Sequence, residues 1–139
     1  VFLSAAMRRT GLDRRLALLV LRRTGTSADG ALAGALAVGI VLAFFVPSTT
    51  ARVGAVVPIM SGMVAAMGLA RTSRLAACLM IASAHVATIW NVAIKTAAAQ
   101  NLLGVGLIQQ ATGRTVSWSA WFAWAAPWAV VMTGVLWVV

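Results

Sequence analysis

Three consecutive hydroxyl side chains interrupt a long apolar part of the sequence. Ser48, Thr49 and Thr50 follow Pro47, and Arg52 comes shortly after them. Hydroxyl groups in apolar surroundings are unfavourable unless they form hydrogen bonds. Their oxygens suit a hard cation such as Na⁺, whereas the free N–H groups at the start of a following helix suit an anion. The segment therefore indicates an ion-binding site, and the alternative is a solvated loop between two ordinary spans.

A second polar interruption lies at 96–101, where a threonine, a glutamine and an asparagine occur together. It offers the same oxygen and amide chemistry as the first. An interrupted helix would also explain the apolar stretch 75–113, which is long for one span and short for two. Irregular backbone at membrane depth is tolerated where it is buried in protein or lines a watery cavity. The alternative is a surface loop that holds Lys95 and Gln100 in water.

The composition places these segments in a membrane. Hydrophobic residues make up 62% of the 139 residues and charged residues only 9%, whereas a soluble domain is typically about 25% charged. The charged residues leave five uncharged stretches of 18 to 25 residues, and a bilayer-spanning helix needs about 20 apolar residues. The composition therefore predicts an all-α integral membrane protein and excludes ordinary globular and disordered chains.

The net charge of +9 does not indicate a nucleic-acid partner. The cations form small clusters between apolar stretches, as loops at a membrane surface do. The sequence contains no acid–base pair, no cluster of metal ligands and no nucleophile–histidine arrangement, and it has no glutamate, so we do not expect an enzyme. The single cysteine, Cys78, permits no internal disulfide.

The order of apolar and polar stretches predicts four segments. Six arginines precede the stretch 30–70 and two follow it, which places both of its ends in the cytoplasm by the positive-inside rule. The apolar residues 31–46 would rise about 24 Å as a helix, less than the roughly 30 Å hydrocarbon core. A re-entrant helical hairpin is therefore favoured over two full spans. The segments are a basic, partly helical juxtamembrane segment at 1–29, the hairpin at 30–70 with its tip at 47–52, a helix at 75–113 interrupted near 96–101, and one further spanning helix at 115–139.

Several single residues have two possible roles. Pro47 is expected to end the first arm of the hairpin and Pro58 to disrupt the second. His85 could relay protons or bind substrate, but a hydrogen bond to a neighbouring helix is favoured. Lys95 could attract a dicarboxylate, but snorkelling to the membrane interface is favoured. Arg52 could stabilise an anion or be a plain loop cation.

Four motifs, in order along the chain, resemble the divalent anion/sodium symporter family. In that family a hairpin tip carries a Pro-Ser-Asn-Thr-Ala-Arg type motif, followed by an apolar stretch that ends in Pro-Ile. A Thr-Gly-x-Ala-x-Asn motif breaks a later helix. Thr49 stands where the first motif has asparagine, and Ala97 where the second has glycine. The stretches that carry the resemblance are 11–19, 45–52 with 57–59, 96–101 and 116–122.

The resemblance implies half of an inverted-repeat transporter, in which the hairpin tip and the broken helix form a midplane site. It implies a secondary active transporter for a dicarboxylate, citrate or sulfate, either cation-coupled or exchanging, that works by alternating access. No resident cofactor is implied, apart from Na⁺ as a coupling ion. The rival prediction is a small structural multi-pass membrane subunit without transport activity. Carried over, the substrate-binding residues are Ser48, Thr49, Thr50, Arg52, Thr96 and Asn101, and the cation-binding residues are Ser48, Thr49 and Ala97.

The chain is expected to be a fragment that covers part of the first repeat. It has no initiator methionine and starts on apolar residues, like the tail of a helix. The expected partners are the missing second repeat, the lipid bilayer and a small anionic substrate, with a homodimer of the full-length protein as a further arrangement. We do not expect the chain to transport on its own. The expected location is a bacterial cell membrane, as a multi-pass protein of the inner membrane.

Overall fold

The structure is a computed structural model that describes residue 6 and residues 9–138, apart from the side chains at 13 and 14. These residues form helices and connectors and contain no β-strand. Four of the helices are long and apolar enough to cross a membrane, so the expected all-α membrane protein is confirmed. The helices are α1 (Leu12–Thr24), α2 (Ala28–Phe45), α3 (Thr49–Ala66), α4 (Arg74–Ala93), α5 (Ala99–Thr112) and α6 (Trp118–Val138).

Serine side chains begin three of these helices. Ser27, Ser48 and Ser73 precede α2, α3 and α4, and each accepts a hydrogen bond from a backbone N–H in the first turn, at 3.1 to 3.4 Å. Such caps satisfy N–H groups that the start of a helix leaves free. At the other ends, Gly25 closes α1 with φ 91° and Gly113 closes α5 with φ 69°, values that favour glycine.

α2 and α3 form a helical hairpin. The turn 46–48 joins two helices of 18 residues each, and each would rise about 27 Å. The arms are antiparallel, because Gly34 near the start of α2 lies against Met63 near the end of α3. The predicted tip at 47–52 therefore divides into a short non-helical turn and the first turn of α3, which starts at Thr49.

α3 continues through Pro58, so the expected disruption of the second arm is wrong. A proline inside a helix removes one backbone hydrogen bond and crowds the preceding turn. Here Pro58, Ile59 and Met60 are all buried against neighbouring helices. We infer that this packing offsets the lost bond, as it does for prolines in other membrane helices.

α4 lies beside α2 and runs in the same direction. Gly39 lets the two backbones approach, because a Cβ atom at Gly39 would lie 2.4 Å from Cγ1 of Val86. Further along both helices, the rings of Phe44 and Trp90 have centroids 5.9 Å apart. The hairpin tip and the end of α4 therefore lie at the same end of the bundle.

α1 packs against the two arms of the hairpin, and α6 packs against α4. Ala17 and Leu21 of α1 are buried against the hairpin, so the basic first segment includes a packed helix. Nε1 of Trp90 in α4 donates a hydrogen bond to Oγ1 of Thr133 in α6 at 3.1 Å. α5 differs, because only Asn101 is buried among its residues.

Candidate functional site

The hairpin tip and an interruption between α4 and α5 meet. α4 ends at Ala93 and α5 begins at Ala99, and the residues 94–98 between them are not helical. The interruption thus starts slightly before the predicted stretch 96–101, whose last three residues open α5. Because α2 and α4 are parallel, the interruption comes to lie beside the first turn of α3.

Arg52 joins the two segments. It lies in the first part of α3 and its side chain is 1% exposed. Its Nη2 donates to the hydroxyl oxygen of Thr49 at 3.3 Å, to the carbonyl oxygen of Ala97 at 3.5 Å and to Oδ1 of Asn91. One guanidinium nitrogen therefore contacts three oxygens, which come from α3, from the interruption and from the end of α4.

Asn91 completes this network, although no motif identified it. Its Nδ2 donates to the hydroxyl oxygen of Thr49 at 2.7 Å. Both ends of the Asn91 amide therefore contact α3. The available signal was a lone amide in the apolar stretch 75–94, because polar side chains within spanning helices are costly and commonly functional.

Asn101 supports the interruption itself. From the first turn of α5, its Nδ2 donates to the backbone carbonyl of Asn91 at 2.6 Å and to that of Ile94 at 3.0 Å. These carbonyls lie where the helical hydrogen-bond pattern of α4 stops. Ala97 adopts no left-handed conformation, since the positive φ values in the described residues all belong to glycines. Alanine is therefore accommodated where the resembling motif has glycine.

The site is electropositive. Nε and Nη1 of Arg52 are buried and have no hydrogen-bond partner among the described residues. α3 and α5 both begin here, and the N-terminal end of a helix carries partial positive charge. Asp29 lies at the start of α2, far from the tip. A buried charge without a partner is unfavourable, so the arrangement fits an anion that comes from outside the described chain.

The other predicted site residues lie at the surface of this cluster. Ser48 and Thr50 at the tip and Thr96 in the interruption are exposed. The hydroxyl of Ser48 accepts from the backbone N–H of Ala51 and so caps α3. The predicted residues that the structure brings together are Thr49, Arg52, Ala97 and Asn101.

Lys95 and His85 make contacts elsewhere. Nζ of Lys95 donates to the backbone carbonyl of Val116 at 2.6 Å, which connects the interruption to the segment before α6. His85 is exposed, and its Nδ1 lies 2.8 Å from the carbonyl oxygen of Ile81 in the same helix. The favoured bond from His85 to a neighbouring helix is therefore wrong.

The described residues offer few ligands for a metal ion. They contain no group of three or more His, Cys, Asp or Glu side chains close enough to hold one. A hard cation would depend on neutral oxygens, and the candidates that converge are Oγ1 of Thr49, Oδ1 of Asn91 and the carbonyl oxygen of Ala97. All three already accept hydrogen bonds from Arg52.

Comparison with known proteins agrees with the resemblance found in the motifs. Residues 1–139 match the family described as "Sodium:sulfate symporter transmembrane region". A protein of Cupriavidus necator named "Membrane protein" is 51% identical over 136 residues, which cover 98% of this chain and 26% of that protein. The chain thus spans about a quarter of the length of this relative. The family match over all 139 residues of this chain shows that it belongs to the sodium:sulfate symporter family of membrane transporters, as its motifs predicted.

Proposed function

We propose that this chain supplies half of the substrate site of a secondary active transporter for divalent anions, such as a dicarboxylate, citrate or sulfate. One observation carries the proposal: Arg52 is a buried guanidinium with two unpartnered nitrogens, at the place where a hairpin tip meets a broken helix. Discontinuous helices that direct their N-terminal ends at an anionic group are common substrate-binding elements of secondary transporters.

The anion would be bound by several kinds of donor. Nε and Nη1 of Arg52 would donate to carboxylate or sulfate oxygens, and such charge-assisted hydrogen bonds are strong. The first turns of α3 and α5 would add backbone dipoles. The exposed hydroxyls of Ser48, Thr50 and Thr96 offer further donors beside them.

The second repeat would supply the remaining half of the site. α5 leaves large apolar side chains such as Leu103 and Leu107 exposed, and the chain covers only 26% of its relative. The hairpin-bearing half would then move across the bacterial cell membrane against a fixed scaffold, by cation coupling or exchange. The chain alone would not transport, and uptake of labelled succinate or sulfate into proteoliposomes that hold only this chain would contradict that expectation.

Cysteine labelling in the complete transporter tests the anion site. In a Cys78→Ala background, Thr50→Cys places a thiol on the exposed side of the first turn of α3. We expect sulfate, succinate or citrate to slow maleimide labelling at this position by at least about tenfold, because the anion would cover the turn.

Thr26→Cys in the same background is the matched control. Thr26 is exposed in the connector between α1 and α2, away from the tip, so its labelling rate should not change with the anion. Thr50→Cys labelling that stays equally fast with every anion would favour the structural-subunit alternative, in which this segment is an ordinary loop.

A further inference from the structure

A groove between α1 and α2 opens on the side of the hairpin, and its lining does not include the residues of the candidate substrate site. Its volume is about 410 Å³, within the range of about 300–1,000 Å³ that is typical of ligand pockets. Leu16 and Val20 of α1 form one wall, Val38 and Leu42 of α2 form the other, and the buried side chain of Ile59 in α3 lies between them. One face of each helix therefore supplies each wall.

The groove is a crevice that runs along both helices. The helices touch where Gly34 faces α1, because a Cβ atom at Gly34 would lie 2.5 Å from Cγ1 of Val20. From Gly34 the lining continues along α2 to Leu42, which corresponds to a rise of about 12 Å. Leu19 and Val41, which also line the groove, are 52% and 53% exposed. Large apolar side chains therefore remain uncovered along it.

One end of the groove is basic, and the rest of it is apolar. The exposed side chain of Arg23 lines the end that is next to the connector between α1 and α2. The described side chains at that end of the bundle include four exposed arginines and one aspartate, Asp29, so positive charge is in excess. The other polar residue of the lining is Thr24, whose hydroxyl donates to the backbone carbonyl of Val20 at 3.1 Å. A ligand that matches this groove has an apolar body and an anionic end.

The membrane itself supplies a ligand of this kind. α2 is long and apolar enough to cross a membrane, so Arg23, beside the start of α2, lies at the level of the lipid headgroups, and the groove extends from there toward the hydrocarbon core. Arginines at this level attract anionic headgroups. A single acyl chain can follow a crevice between two touching helices, whereas another helix, about 10 Å wide, needs a broader surface.

We propose that the groove between α1 and α2 is a binding site for an anionic phospholipid, with the headgroup at Arg23 and one acyl chain between the apolar walls. Burial of methylene groups holds the chain, and the arginine selects the headgroup. The bound lipid joins the helix before the hairpin to the first arm of the hairpin. This inference is independent of the proposed substrate site, because no residue of that site takes part in it.

Quenching by a spin-labelled lipid tests the site in the complete transporter. In the Cys78→Ala background, Leu19→Cys carries a bimane fluorophore at the groove, and Leu18→Cys carries it at the neighbouring exposed position, which does not line the groove. Both proteins are titrated in neutral detergent with phosphatidylglycerol that has a nitroxide on its acyl chain. We expect saturable quenching at position 19, at least about threefold deeper than at position 18. Equal quenching at both positions would overturn the proposal, and so would no quenching at position 19, because another part of the transporter would then cover the groove.

Substitution of single arginines and competition between lipids test the headgroup. We expect the lipid concentration for half-quenching at position 19 to rise about fivefold in Arg23→Gln, which is the contribution of one arginine near an anionic headgroup. Arg22→Gln, at an exposed position that does not line the groove, should stay within about twofold of the parent. Unlabelled phosphatidylglycerol should reverse the quenching, and phosphatidylcholine should not. Equal losses in the two variants, or equal displacement by the two lipids, would contradict a site that selects an anionic headgroup at Arg23.

Discussion

At the scale of residues, the site depends on one amide and one guanidinium. The amide oxygen of Asn91 accepts a hydrogen bond from Arg52 and its nitrogen donates one to Thr49. A single side chain therefore holds both the guanidinium of Arg52 and the hydroxyl of Thr49 in α3. The amide is neutral, and the positive charge of Arg52 therefore remains available. This choice of residue makes sense for an anion site, because a carboxylate at the same position would neutralise the guanidinium.

Asn91→Asp should therefore remove anion binding while keeping the fold. The change is nearly isosteric and converts the Asn91–Arg52 contact into an ion pair, which cancels the charge that the anion would meet. We expect the anion concentration for half-protection of Thr50→Cys to rise at least about tenfold. Gln109→Glu, on the exposed side of α5, adds the same charge elsewhere and should leave it unchanged. Equal half-protection in both variants would show that the charge of Arg52 does not attract the anion.

At the scale of elements, the ends of the helices could be predicted better than their contacts. Uncharged stretches and Pro47 indicated the helices and the end of the first arm from local chemistry alone. Asn91 and Arg52 are 39 positions apart, and their contact depends on the register in which α2 packs on α4 at Gly39. Rules based on neighbouring residues in the sequence do not predict the register in which two helices pack. Pro58 failed as a helix breaker for the same reason, because its support comes from neighbouring helices.

Asn101→Ala should destabilise the interruption. It removes the donor for the buried backbone carbonyl of Asn91, whereas the carbonyl of Ile94 still accepts from the backbone N–H of Ala97. A buried group left without a partner costs about 1–3 kcal/mol. We expect a clearly lower melting temperature of the complete protein in detergent. Gln100→Ala, at the exposed neighbouring position, is the control and should stay close to the parent. Equal melting temperatures for the two variants would mean that water or lipid replaces the Asn101 amide.

At the scale of the whole molecule, a cluster of four exposed arginines and the site occupy opposite ends of the described bundle. α2 and α4 are parallel, so their starts lie together, and α1 ends and α3 ends beside them. Exposed arginines cluster at that end, whereas the tip and the interruption lie at the other. These arginines are Arg22, Arg23, Arg71 and Arg74. The asymmetry predicts that this end faces the cytoplasm, because arginine-rich segments tend to remain there.

The connectors at Thr26 and Thr72 should therefore both face the cytoplasm. Each is exposed between two helices at the basic end. In the Cys78→Ala background, we expect Thr26→Cys and Thr72→Cys to react with a membrane-impermeant maleimide only after cells are permeabilised, which also shows that both thiols are reactive. Labelling of either position in intact cells would contradict this orientation. If both positions are cytoplasmic, the chain between them crosses the membrane either twice or not at all. The depth of Thr50→Cys, measured with maleimides of increasing length, then separates a re-entrant hairpin from two full spans.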